Sequence, residues 1–421
     1  MSTPIDNRRF LTVLRPMEAL KLILILVAIV VALRRRLSVG ITLFGAGLLT
    51  ALLFAVPISD LLDGYWVLIK SERFIFLTAL VVFVTILGNL LKDLGFLDRL
   101  AESCRGLYGG SRTAVSTMPG LVGLMPMPGG SLLSAPLVNS VLQEEKYTPH
   151  FKCAVNYWFR HLVEFSWPIY AGLVLTEAIT GMPIGQVSFL QFPLTVFTFL
   201  IGLVFFIRKI DNTSEGRPAL FRPLLGIAKT IWPVVSAILI HAIFGIDLMI
   251  AIVISIVALA IVARPPKKVL LKSIRQGFSV SLVFLIFGIL SFQTVLELSG
   301  SIESISNLAT AHSLPPVLVI FIVMFTIGVL TGMVSAYVGL GYTLLAGLLY
   351  QPEIQPGYIM LAYLFGFIGM ILSPSHLCLI LTNNYFGSDL GSVLKILLLP
   401  LIVLGLCGYL LYLSGWATLF V

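Results

Sequence analysis

Residues 153–178 read CAVNYWFRHLVEFSWPIYAGLVLTEA and gather the side chains best suited to chemistry. Asn156, Arg160 and Glu164 recur every four residues, which within one helix puts them on a single face. His161 flanks that face, three residues before Glu164. A guanidinium so placed can bind an anion. An imidazole beside a carboxylate can relay a proton or serve a coupling ion. An ionisable group at membrane depth costs about 2.5–3.5 kcal/mol, so several in one apolar stretch imply a polar cavity. The competing account is structural. Arg160 and Glu164 would form an ion pair locking two helices, or Arg160 would snorkel to the interface.

Trp167 and Pro168 then interrupt the helix, because proline cannot donate to the carbonyl four residues before it. A second interruption stands in LSPSHLC, where Ser373, Pro374, Ser375 and His376 follow one another. Broken helices expose N-terminal N–H groups that suit an anion and C-terminal carbonyls that suit Na+ or H+. The competing readings are an ordinary kink at Pro374 and a packed, hydrogen-bonded His376. Two further segments carry small residues where backbone could approach a ligand. The first is Pro126, Met127, Pro128, Gly129, Gly130 and Ser131; the second is Tyr337, Gly339, Gly341, Tyr342 and Thr343. Close helix packing through small residues is their alternative use. No nucleotide loop is present, since GLGYT is short and no lysine follows it. His241 reads as structural, and Asn383, Asn384 and Asp389 read as a solvated helix end.

These residues must be positioned by a membrane bundle. Of 421 residues, 58% are hydrophobic and 11% charged, where a soluble domain has roughly a quarter charged. The mean hydropathy is +1.04. Ten spanning helices are expected, at about 17–33, 38–57, 74–91, 153–178, 187–207, 227–244, 246–263, 276–297, 358–383 and 393–413. Basic loops at Arg34–Arg36, between spans five and six, and at Arg264–Arg275 belong to the cytoplasm, and alternate with neutral or acidic loops at 58–73 and 297–315. The net charge of +8 is therefore a topology signal and no sign of nucleic acid. The arginines near the N-terminus conflict with its expected external side. No cleavable signal peptide is expected, and Cys104, Cys153, Cys378 and Cys407 read as isolated residues with no disulfide and no metal spacing.

Residues 113–142 and 316–349 do not fit as single spans. The first has four prolines and the second is too long. Each should enter and leave on one side as a helix–break–helix hairpin, cytoplasmic for the first and external for the second. Its irregular tip must be shielded from lipid. The halves also align. Residues 119–137 match 331–349, and 156–177 match 362–383, with Tyr157, Phe159, Pro168, Leu173, Leu175 and Thr176 meeting identical residues. Five spans per half make the second half inverted, with a site expected near the midplane. The expected division is 1–210, a cytoplasmic linker 211–226, and 227–421.

GLMPMPGGSLLSAPLV, NYWFRHLVEFSWPIYAGLVL and GMILSPSHLCLILTNNYF resemble the signatures of a prokaryotic integral-membrane family catalogued as a domain of unknown function. The resemblance covers nearly the whole chain. That family is similar to the ion-transporter superfamily of citrate, gluconate and C4-dicarboxylate carriers. The resemblance implies a scaffold and a moving transport domain with two hairpins and two broken helices, working as an elevator. It also implies a multi-pass protein of the inner membrane, and by analogy a homodimer. By position, the tips would be Pro126 to Ser131 and Gly339 to Thr343, and the breaks Trp167-Pro168 and Ser373-Pro374. This chain lacks the Ser-Asn-Thr triplets of dicarboxylate carriers, which leaves carboxylate open as the substrate.

The expectation is thus an all-α inverted-repeat carrier of a small anion, with H+ or Na+ as coupling ion, no other cofactor and no metal. Arg160, Asn156, Trp167, the two tips, Ser373, Ser375 and His376 would line the substrate site, and His161 and Glu164 would serve coupling. An intramembrane metal-dependent enzyme using His161, Glu164 and His376, or an ion channel, are the alternatives.

Overall fold

The computed structural model describes residues 20–420 except 22–23, 26, 36, 106–109, 126–129, 143–145, 212–220, 302–313 and 351. Pro126, Met127, Pro128 and Gly129 of the first tip lie outside the described residues, as does most of the 211–226 linker. Every regular element among the described residues is helical. Five helical stretches are long and apolar enough to cross a bilayer: Glu72–Asp93, Ile184–Lys209, Pro223–Phe244, Lys267–Leu298 and Leu390–Leu413. Large apolar side chains such as Ile75, Ile243 and Leu410 stand exposed on their outer faces, as lipid contact requires. The protein is a multi-pass helical membrane protein.

In the first half the helices are α1 (Val39–Leu53), α2 (Ile58–Lys70), α3 (Glu72–Asp93), α4 (Phe96–Arg105), α5 (Ser111–Gly123), α6 (Ser131–Val141), α7 (Pro149–Arg160), α8 (Ala171–Thr180) and α9 (Ile184–Phe205). The second half has α10 (Phe221–Phe244), α11 (Leu248–Ala263), α12 (Lys267–Gly277), α13 (Val280–Leu298), α14 (Pro316–Thr331), α15 (Val334–Ala336), α16 (Ala346–Leu349), α17 (Pro356–Ile371), α18 (Leu377–Phe386) and α19 (Leu390–Leu413). Local chemistry sets several starts. The Ser71 hydroxyl accepts from the Phe74 N–H at 3.1 Å to begin α3. Thr148 caps α7 ahead of Pro149, and Asp389 caps α19 through the Ser392 N–H.

Two loops of the sequence reading are helical. Residues 58–73 contain α2, and the basic 264–275 loop contains most of α12. Both are amphipathic, and their charges (Asp60, Asp63, Lys70; Lys267, Lys268, Lys272, Arg275) hid the apolar face.

The helices pack in two groups. In one, α13 packs on α1, α2 and α3, α12 and α11 on α3, and α10 on α11 and α4. In the other, α5 and α6 pack on each other and on α7, α14 packs on α17, and α9 and α19 pack together beside them. The second group crosses the halves: α18 packs on α6 and α7, while α8 meets the segment 334–342. The groups meet where α3 touches α8 and where α4 touches α5 and α6. At the first seam Arg73 donates to the Ala178 and Ile179 carbonyls at 2.6 and 3.2 Å, and to Gln293 at 3.1 Å.

Candidate functional site

Both expected breaks exist. The helix of the first ends at Arg160, a 3-10 turn spans Leu162–Phe165, and α8 begins at Ala171. The second runs from Leu372 to His376, between α17 and α18. The first break starts earlier than Trp167-Pro168 because Pro168 deprives the Glu164 carbonyl of its partner. Consequently Glu164 lies on the 3-10 turn, off the α-helical face of Asn156 and Arg160.

The orphaned carbonyls are served across the halves. Tyr363 of α17 donates to the Glu164 carbonyl at 3.0 Å, and Tyr157 of α7 donates to the Ile371 carbonyl at 3.2 Å. Both tyrosines are fully buried. They occupy equivalent positions in the aligned halves, so each half closes the other's break. The aligned identity was the sequence signal for this pair.

Around the first break, three side chains secure the first hairpin. Its arms α5 and α6 flank the tip. Arg160 Nη1 donates to the Tyr170 hydroxyl at 2.8 Å, and Nη2 reaches the Met125 carbonyl at 3.3 Å. Tyr170 donates to the Gly123 carbonyl, and Trp167 Nε1 to the Leu124 carbonyl at 3.1 Å. These are the carbonyls left open at the end of α5. Among the described residues no Arg160–Glu164 ion pair forms; Arg160 is 1% exposed and turns to the tip instead. Gly130 makes room for it: a Cβ there would lie 2.7 Å from Nη2 and 2.8 Å from Nε. The N-terminus of α6 has no side-chain cap and is held by its first residue. Ser131 Oγ donates to the Cys378 carbonyl at 2.9 Å, and Asn156 Nδ2 donates to the Ser131 carbonyl at 2.8 Å. Asn156 Oδ1 and Glu164 Oε2 are buried without a partner among the described residues.

The breaks bring His161 and His376 together edge-on, with ring centroids 5.2 Å apart. Their Nε2 atoms are 3.2 Å apart. His161 Nδ1 is 2.6 Å from the Tyr157 carbonyl, and His376 Nδ1 is 2.7 Å from the Gly332 carbonyl. Carbonyl oxygens only accept, so both Nδ1 atoms carry hydrogen and the two Nε2 atoms face each other across one gap. Glu164 Oε1 is 3.9 Å from His161 Nε2. Cys378 joins them: single donor atoms of His161, His376 and Cys378 all lie within 4.8 Å of one another. All three are buried. In the sequence Cys378 is an isolated cysteine, and nothing in its spacing links it to a histidine 217 positions earlier. Ser373 Oγ donates to the Val329 carbonyl at 2.6 Å and lies 2.8 Å from Ser375 Oγ, which fastens the second hairpin to this break.

The second hairpin is corrected in detail. Its turn falls at Gly332 and Met333, between α14 and α15. Tyr337, Gly339, Gly341, Tyr342 and Thr343 lie beyond it, with Tyr337–Tyr342 forming a π-helix in the returning arm. Gly332 has φ +62, and a Cβ on it would lie 2.7 Å from the His376 nitrogen; only glycine fits this αL position so close to backbone. The 119–137 alignment with 331–349 thus pairs Gly120, inside α5, with a turn glycine. Tyr342 donates to the Ile359 carbonyl at 3.1 Å and Thr343 to the Gly339 carbonyl at 2.6 Å, both as wall contacts. Tyr337 packs edge-on against Tyr363 at 5.6 Å. His241 bonds to the Ile246 carbonyl at 2.8 Å, as a structural residue should.

Two clefts lie at the seam between the helix groups, one beside the cluster and one at the C-terminal end of α8. One, of about 430 Å³, is lined by Leu37, Ser38, Ser281, Thr331, Met333 and Ser375, among others. The other, of about 590 Å³, is lined by Arg73, Glu177, Thr180, Gln293, Glu297 and Tyr350, among others.

Among solved structures, the chain is similar to a transporter from Alcanivorax borkumensis, YdaH, described as having an unusual topology. The match has a TM-score of 0.53 at 15% identity and covers 85% of this chain and 88% of that one. The likeness is one of fold. No curated protein matches the sequence significantly. Residues 18–414 match the family described as "Protein of unknown function (DUF401)", and the chain belongs to that family.

Proposed function

We propose that the protein is a secondary active transporter of a small anionic solute, coupled to H+ or Na+, in the inner membrane. The observation that carries this reading is the pair of broken helices, each closed by the other half's tyrosine, meeting at buried polar groups. A purely structural core has no use for two interrupted helices whose backbone groups must be rescued across the molecule. The two halves, 1–210 and 227–421, act as inverted repeats. Their element order supports this, since each runs through apolar helices, an amphipathic helix, a further apolar helix, a hairpin, a broken helix and a long final helix. The second helix group moves against the first as an elevator, with the two clefts as its alternate openings.

Arg160 and the uncapped N-terminus of α6 supply the positive potential for an anion at the first tip. Gly130, Ser131, Asn156 and Trp167 surround that place, with Pro126 to Gly129 assigned to it by sequence. Ser373, Ser375 and His376 face it from the second break, and His161 with Glu164 serves the coupling ion. The fold of the transporter from A. borkumensis supports the transporter class.

The test is uptake into proteoliposomes of citrate, gluconate, succinate and phosphate under imposed Na+ or H+ gradients. At least one solute should accumulate with the wild-type protein, and Arg160→Lys should abolish it, because an ammonium cannot reproduce the guanidinium fork. No gradient-driven accumulation, or equal uptake by Arg160→Lys, contradicts the reading.

A further inference from the structure

We propose that His161, His376 and Cys378 form a binding site for a divalent transition metal ion of borderline softness, Zn2+ being the type. The case begins with the two imidazoles. Each Nδ1–H is committed to a carbonyl, Tyr157 for one and Gly332 for the other. The Nε2 atoms then face each other across 3.2 Å, an arrangement that a shared proton or a metal cation between them would hold. Two imidazoles on a tetrahedral metal with N–metal bonds near 2.05 Å sit about 3.3 Å apart at their nitrogens. The observed separation fits that span with little motion.

The third donor is a soft one. The Cys378 sulfur lies within 4.8 Å of both histidine donors, and thiolate with imidazole selects zinc-like ions over Mg2+ or Ca2+. Glu164 stands next to this trio, with Oε1 3.9 Å from His161 Nε2 and Oε2 without a partner among the described residues, and a rotation of its side chain would complete the fourth position. The carbonyl bonds at both Nδ1 atoms are the outer contacts that metal-bound histidines characteristically make. They orient the rings and fix the tautomer. Access is present too: Pro374, Ser375 and Leu377 are exposed beside His376, and Ser375 lines the 430 Å³ cleft.

The ligands come from both halves, with His161 from the first and His376 and Cys378 from the second. The site itself needs no transport. It rests on the transporter reading only in placing the ion within the solute pocket.

The experiment uses Co2+ as a spectroscopic probe on full-length protein in detergent, after chelator treatment. Wild type should develop visible bands of tetrahedral cobalt and a thiolate-to-cobalt charge-transfer band, both displaced by Zn2+. Cys378→Ser should remove the charge-transfer band. His376→Gln and His161→Gln should each weaken Co2+ binding by more than about 100-fold, judged on variants that keep wild-type helical circular dichroism. Wild type lacking these bands at saturating Co2+ overturns the proposal whatever the variants do. So does a charge-transfer band that persists in Cys378→Ser. Anion uptake by wild type separates the two claims. Uptake without cobalt bands sinks the metal site alone, and cobalt bands without uptake sink the transporter alone.

Discussion

Replacing either cross-half tyrosine by phenylalanine removes one hydroxyl while leaving the ring and its packing in place. Tyr157→Phe strips the Ile371 carbonyl of its donor, and Tyr363→Phe strips that of Glu164. Interhelical hydrogen bonds in membrane proteins average about 0.6 kcal/mol, with a maximum near 1.7. Leaving a buried acceptor unserved costs about 1–3 kcal/mol. Both hydroxyls belong to residues with 0% exposure, and the Glu164 carbonyl has already lost its helical donor to Pro168. Each loss should therefore fall at the upper end, about 1.5–2 kcal/mol, or roughly 10–30-fold in the folding equilibrium. Reversible denaturation in mixed micelles, followed by tryptophan fluorescence, measures it. The two variants should lose stability by similar amounts. If either is wild-type within about 0.3 kcal/mol, the carbonyl it served is not an orphan and the reciprocal closure of the breaks is wrong.

Two other outcomes are expected. Gly332→Ala should lower the melting temperature of the purified protein and loosen the second hairpin, since αL backbone costs a residue with Cβ roughly 1–2 kcal/mol and the methyl would press on the His376 nitrogen. Proteolysis at 331–335 no faster than in wild type would contradict it. Arg73→Gln should free the end of α8 from the first helix group by deleting its bonds to the Ala178 and Ile179 carbonyls. Hydrogen exchange across 176–183 should then quicken by roughly 10-fold or more, and unchanged exchange would show that the seam does not depend on Arg73.

Much of this architecture was legible because the bilayer enforces it. Long apolar runs, basic loops and prolines inside spans have few other meanings. Pro168 and Pro374 located the breaks, and the spacing of Arg160, His161 and Glu164 located the polar centre. Amphipathic α2 and α12 were missed because interfacial helices carry the charges of loops. The second tip was misplaced because glycines at 339 and 341 mark close packing on Ile289 and Met324, while the turn depends on one glycine, Gly332. Arg160 was read for its charge, and only the fold reveals that its donors also hold the end of α5. Cys378 was silent in the sequence, as pairings between halves leave no local pattern.

In the proposed transport cycle the second helix group, built around the crossed breaks, moves as a body against the first. Single-molecule fluorescence between bioorthogonal labels at Val67, exposed on α2, and Leu419, exposed beyond α19, reads that motion in proteoliposomes without knowledge of the substrate. Two distance populations should exchange, and their ratio should shift when the Na+ or H+ gradient is imposed. One fixed distance under every gradient would contradict the elevator and the transport cycle built on it.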